Sequence, residues 1–208
     1  MKNLILPALL IAAPLSAQSF EIGVFLGQQS YHDSASRPLF APQNPLISKV
    51  DSRTVTALRL GYTLLDFGPA SFQVTGGYQP ETRATVHTSA PNNTPPFPTD
   101  LGDSTLTESY WSVGTMFNFN FPVALGLGLE YRSEKLGGGT TGSFTYNRPW
   151  ARANVGYVFP MPKVKPFVGL EAALPLSTKS NDTGTSAETA IQAIAPKMQI
   201  GIYAGIRF

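Results

Sequence analysis

Hydrophobic and polar positions alternate with a period of two over eight stretches of this chain, and the last, Pro196 to Phe208, does so without a slip. Met198, Ile200, Ile202, Ala204, Ile206 and Phe208 fall on one side of it, and Lys197, Gln199, Gly201, Tyr203, Gly205 and Arg207 on the other. A period of two marks a β-strand with two unlike faces. The other stretches lie near 20–31, 53–65, 71–86, 106–119, 123–133, 147–159 and 164–178. Connectors at 66–70, 120–122 and 160–163 are short, whereas those at 32–52, 87–105, 134–146 and 179–195 are long and rich in Ser, Thr, Asn, Pro and Gly. Short and long connectors alternate. That order predicts an all-β, eight-stranded antiparallel up-and-down transmembrane β-barrel, with tight turns and both chain ends on one side of the membrane and long loops on the other.

A soluble ligand-binding barrel of lipocalin type shares the strand count but turns its apolar face inward. The glycines argue against it. Gly23, Gly61, Gly77, Gly126, Gly201 and Gly205 share the polar phase with Glu21, Arg59, Glu130, Arg132, Arg152, Glu171 and Arg207. Strand glycines weaken a solvated face, but a narrow lumen holding long charged side chains needs small neighbours opposite them. The polar face is therefore expected inside and the apolar face in lipid. Aromatic girdles are expected at both interfaces: Phe20, Phe67, Phe72, Phe119, Phe121, Phe159 and Phe208 at one, Tyr31, Tyr110, Trp111, Tyr131, Tyr146 and Trp150 at the other.

The chain begins Met1-Lys2-Asn3, continues through an apolar run to Ser16-Ala17, and then turns polar. This reads as a signal peptide over residues 1–17 preceding a single barrel domain, 18–208. The run is too short to span a bilayer as a helix and contains Pro7 and Pro14. With 19 Gly and 18 Pro among 208 residues, many short strands and turns are favoured over helices. A formal net charge of +2 gives no ground for expecting nucleic acid as a partner. The absence of Cys removes disulfides, thiolate metal sites and a lipoprotein anchor. No cofactor or metal is expected.

The leader, the eight alternating strands, the loop asymmetry and the terminal Phe208 together resemble the small bacterial outer-membrane barrels of the OmpA transmembrane-domain, OmpX and OmpW type, in the porin family of outer-membrane proteins. The resemblance implies the bacterial cell outer membrane, contact with outer-membrane lipid and lipopolysaccharide, and a monomer. It also implies that the closing strand, with Tyr203 and Phe208, is the signal read by the barrel-assembly machinery. The chain departs from full-length OmpA in ending at Phe208, so cell-wall tethering is not implied.

The expected lumen network comprises Glu21, Arg59, Glu81, Arg83, Glu130, Arg132, Arg152, Glu171 and Arg207, and Glu108, Arg53, Lys165 and Lys197 are expected in the lumen with them. Charges enclosed in so narrow a barrel must pair or stay hydrated. The expected role is structural, adhesive or that of a minor channel; passage of small or apolar solutes of the OmpW kind is the alternative. A more distant one is lipid A modification, because His32-Asp33-Ser34 and His87-Thr88-Ser89 each set a Ser two residues from a His, with Asp33, Asp103 or Glu108 available to orient the ring. No catalytic residue is assigned. Gly126-Leu-Gly128 lies within a strand and precedes no helix, which excludes a phosphate loop.

Overall fold

The computed structural model describes residues 19–36, 46–93, 98–121, 123–138, 142–177 and 192–208, so the expected signal peptide over residues 1–17 lies outside the described residues. Ten strands are formed: β1 (Phe20–Tyr31), β2 (Ser34–Ser36), β3 (Leu46–Val50), β4 (Arg53–Asp66), β5 (Ala70–Ser89), β6 (Asp100–Asn120), β7 (Ala124–Gly138), β8 (Ser143–Val158), β9 (Lys165–Pro175) and β10 (Pro196–Arg207). Eight of them close a ring in the order β1-β4-β5-β6-β7-β8-β9-β10, each antiparallel to its neighbours, with β10 returning to β1. Phe208 N donates to Phe20 O at 2.9 Å where the two ends meet. Strands β2 and β3 form a small hairpin, paired through β3 to the far end of β5, within the expected loop 32–52.

The apolar phase faces outward. Leu127, Leu129, Leu170, Ile200 and Ile202 stand exposed, while Arg59, Glu130, Arg132 and Glu171 on the opposite phase are buried. On β10 and the residue that follows it, the outward set runs from Met198 to Phe208. At about 3.4 Å per residue and a tilt near 40° this covers about 26 Å along the membrane normal, the height of a lipid-facing band.

Beyond that band the two faces exchange character. On β6 the outward series Phe117, Val113, Trp111 gives way to Ser109, Thr107, Thr105 and Asp103, while the inward series passes from Ser112 and Glu108 to Leu106. Tyr31, Val50, Ala84, Val86, Leu106, Leu136, Tyr146, Ile194 and Ala195 form one buried apolar cluster at this end, joined by Phe144. The barrel thus continues past the membrane as a water-facing cylinder with its own hydrophobic core. The expected loop 134–146 is largely strand for this reason, with β7 and β8 running to Gly138 and from Ser143.

Two sets of expectations are corrected. Glu81 and Arg83 do not face the lumen; both are exposed. A bulge between Gln79 and Thr82 adds one residue to β5 against β6. It switches the inward phase from Ser71, Gln73, Thr75 and Gln79 to Ala84 and Val86. Tyr31, Tyr110, Tyr146 and Trp150 are not part of an outer girdle, because each occupies an inward position and is 2% exposed or less. Tyr78, Trp111 and Tyr131 are the aromatics that face outward at that interface.

Candidate functional site

The lumen is filled by three tiers of charge. At the end where Phe20 and Phe208 meet, Arg207 donates from Nε and Nη2 to Glu21 at 3.0 and 2.7 Å, and the Tyr203 hydroxyl bonds the other oxygen of Glu21. Tyr203 therefore points inward, packed on Phe167 at 4.7 Å between ring centroids, whereas Phe208 is exposed. The tyrosine fits because position 23 is Gly: a Cβ there would lie 3.0 Å from Tyr203 Cζ and closer still to Cε2.

The middle tier joins β4, β7, β8 and β9. Glu130 receives Arg132 Nε at 2.5 Å, Arg152 Nη1 at 3.3 Å and the Ser112 hydroxyl at 3.3 Å, and Arg59 Nη1 stands 3.8 Å away. Glu171 receives Arg59 Nη2 at 2.7 Å and has Arg152 Nε at 3.8 Å. The Arg132 guanidinium lies 3.9 Å from the Trp150 ring centroid and 4.3 Å from that of Tyr110, and its Nη1 donates to Gln199 Oε1 at 2.8 Å. Each contact fixes its orientation.

The third tier was only partly foreseen. Arg53 Nη2 donates to Glu108 at 2.7 Å, and the Tyr31 hydroxyl at 3.0 Å and Gln29 Nε2 bond the same carboxylate. Glu134 and Arg148 form a buried pair at 2.8 Å (Nε) and 2.5 Å (Nη2) that the sequence reading missed. Extending the even phase Gly126, Gly128, Glu130, Arg132 by one step would have found Glu134. Lys165 and Lys197, expected in the lumen, are instead exposed. Arg59, Arg132, Arg148 and Trp150 are among the largest fully buried side chains, so the interior is occupied by side chains, as the width of an eight-stranded barrel dictates.

His87 lies outside the lumen. His87, on the outer face beyond the aromatic row, bonds Asp103 through Nδ1 at 2.6 Å and Asp51 through Nε2 at 3.1 Å. Both ring nitrogens thus go to carboxylates rather than to Ser89. The side chain of Ser34 lies outside the described residues. Among the described residues no group of three or more His, Asp or Glu side chains is placed to hold a metal ion.

Hydrogen bonds donated to the Asp103 and Asp51 carboxylates raise the affinity of His87 for its proton above the ordinary imidazole value. Because β3 carries Lys49 opposite His87 and leads into Asp51, the imidazolium clasps the hairpin to the barrel despite Lys49. A raised folded value means the clasp is complete below the ordinary imidazole range, about 6.5, and is lost as pH rises through the raised value. Amide exchange of β3 should therefore lose protection on going from pH 6 to pH 9 relative to His87→Gln. Parallel pH profiles for the two proteins would contradict the clasp.

A closed antiparallel ring of eight strands, apolar outside at membrane height and charged within, defines the outer-membrane β-barrel class. No family model and no curated protein matches the chain. Solved structures do match in fold. Ail, the attachment invasion locus protein of Yersinia pestis, solved with the heparin analogue sucrose octasulfate, is 16% identical, covering 92% of this chain and 99% of its own at a TM-score of 0.42. Neisserial surface protein A is 12% identical, with 91% and 95% covered and a TM-score of 0.44. The outer membrane protease OmpT of Escherichia coli is 11% identical, with 92% and 96% covered and a TM-score of 0.40.

Proposed function

We propose that this protein is a sealed outer-membrane barrel of structural or adhesive character, which holds a stiff polar collar above the outer leaflet for contact with external surfaces. The observation that carries the reading is the reversal of polarity along the axis. Beyond the lipid band the strands continue with Ser, Thr and charged residues outside and a packed apolar cluster inside. A conduit gains nothing from a hydrophobic core across its mouth; a protruding platform needs one to stay rigid. Lipopolysaccharide surrounds the collar, and the assembly machinery reads β10 through its outward residues and the exposed Phe208.

The minor-channel reading requires Arg132 to leave Glu130 and move between carboxylates, yet its plane is held by Tyr110, Trp150 and Gln199. OmpW-like passage of apolar solutes has less support, since the interior at membrane height is polar and filled.

Cells carrying the protein should adhere to immobilised epithelial matrix more than cells lacking it. Replacing residues 46–49 and 91–99 by Gly-Ser segments of equal length should remove the gain while leaving folded barrel in the membrane. Unchanged adherence of that variant, or no gain with the parent chain, would count against the reading.

A further inference from the structure

Strands β4 and β5 do not zip along their whole shared length. Their ladder runs up to Leu58↔Tyr78, and β3, which precedes β4 in the same direction, resumes it in the same register from Val50↔Val86 to Ile47↔Ser89. Between these ladders residues 52–57 and 79–84 form no pairs with each other, and Asp51 N to Thr85 O at 3.0 Å ties the upper end. The cause lies on the other edge of β5. The bulge between Gln79 and Thr82 bends the strand away, and Pro80 has no N–H to offer. The seam starts directly above the outward Tyr78, so it opens at headgroup height rather than into hydrocarbon.

Behind the seam lies the third tier of charge. Arg53 leaves β4 beside the gap and reaches Glu108 on β6, the strand beyond β5, so its side chain crosses behind the seam. Gln79 lies at the lower end, fully buried, with its Oε1 receiving Gln199 Nε2 at 3.0 Å. Arg53 is 9% exposed, and its Nε and Nη1, like Gln79 Nε2, have no hydrogen-bond partner. Buried donors left without acceptors are costly. Among the described residues the lumen network holds the carboxylates Glu21, Glu108, Glu130, Glu134 and Glu171 against six arginines, Arg53, Arg59, Arg132, Arg148, Arg152 and Arg207, an excess of one positive charge. Val55 and Ala57 of the seam pack behind it with Phe25 and Tyr110 in a small buried apolar cluster, with the Glu130 network below and the larger apolar cluster beyond. A group entering from the side would therefore meet a dead end, compatible with a sealed axis.

We propose that the seam between β4 and β5 is a side port through which a small oxyanion, phosphate or carboxylate, reaches Arg53 and Gln79 from the headgroup layer. Ala57 behind the seam has no exposure, so entry requires the outward Thr54 and Thr56 to move aside. No ladder pair has to break for this, which distinguishes the seam from every paired part of the wall.

The chain has no cysteine, so single thiols report access cleanly. Ala57→Cys is compared with Ala173→Cys, which sits equally buried on β9 and is paired on both sides. Only protein running as the folded, heat-modifiable form is scored. An anionic sulfonate thiol reagent should modify Ala57→Cys on the order of tenfold faster than Ala173→Cys, and faster than a cationic trimethylammonium reagent does, because Arg53 draws the anion and favours the thiolate. Inorganic phosphate should slow the modification if the ligand arrives free; micelles doped with an alkyl phosphate should slow it, with inorganic phosphate inert, if it arrives on a lipid. Either protection should vanish when Arg53→Gln is added. Equal rates for the Ala57→Cys and Ala173→Cys variants would overturn the port. A faster cationic reagent, no protection by either phosphate, or protection that survives Arg53→Gln would overturn the anion site.

Discussion

Glu130→Ala should destabilise the folded barrel by about 3–5 kcal/mol, the usual cost of removing one partner from a buried ion network. Glu130 bonds Arg132 and Arg152 and stands near Arg59, and all three arginines are 7% exposed or less. Without it, Glu171 is left to balance them, and Arg132 stays trapped between Tyr110 and Trp150 without its ion-pair partner. Glu130→Gln with Arg132→Met removes both charges and keeps most of the volume, so it should cost clearly less than the sum of the single changes. Urea unfolding in lipid vesicles, followed by tryptophan fluorescence, reads both. Additive losses in the double variant would show that the pair is not the unit of stability.

The second large effect concerns the outer face. Leu127 is 61% exposed near the middle of the outward series Leu125, Leu127, Leu129, Tyr131 of β7. Leu127→Arg should cost about 2–4 kcal/mol in a bilayer, the cost of a cation near the midplane, while Ser109→Arg above Trp111 should cost about 0–1 kcal/mol. The same vesicle titration measures the difference. Equal costs at the two sites would mean that the lipid band is misplaced along the strands.

These two faces were legible in the sequence because each depends on local parity. The apolar residues of β10 and the glycines opposite its charged neighbours fix the inside and the outside from a few residues at a time. What the sequence concealed depends on longer range. Hydrophobicity marks the lipid side within the membrane and the core side above it, so the pattern inverts along β6 and β7, and residues 134–146 resembled a loop although Glu134, Leu136 and Tyr146 point inward. The bulge at Gln79–Thr82 is a relation between β5 and β6 that no single-strand periodicity contains; Pro80 is its one local sign. That extra residue moved Glu81 and Arg83 out of the network. Tyr110 and Trp150 were drawn to a girdle by their place near strand ends, whereas their phase sent them inward to hold Arg132. The hairpin of β2 and β3 carries too few residues for periodicity to show.

Ion conductance of the refolded barrel in planar bilayers tests the proposed seal, in which the Glu130 network and the apolar cluster around Leu106 and Leu136 fill the axis among the described residues. Silence is expected from protein shown to be folded and inserted, at low and high salt. Discrete openings in the parent protein whose frequency or size changes in Arg132→Ala would contradict it and establish a charge-gated channel instead.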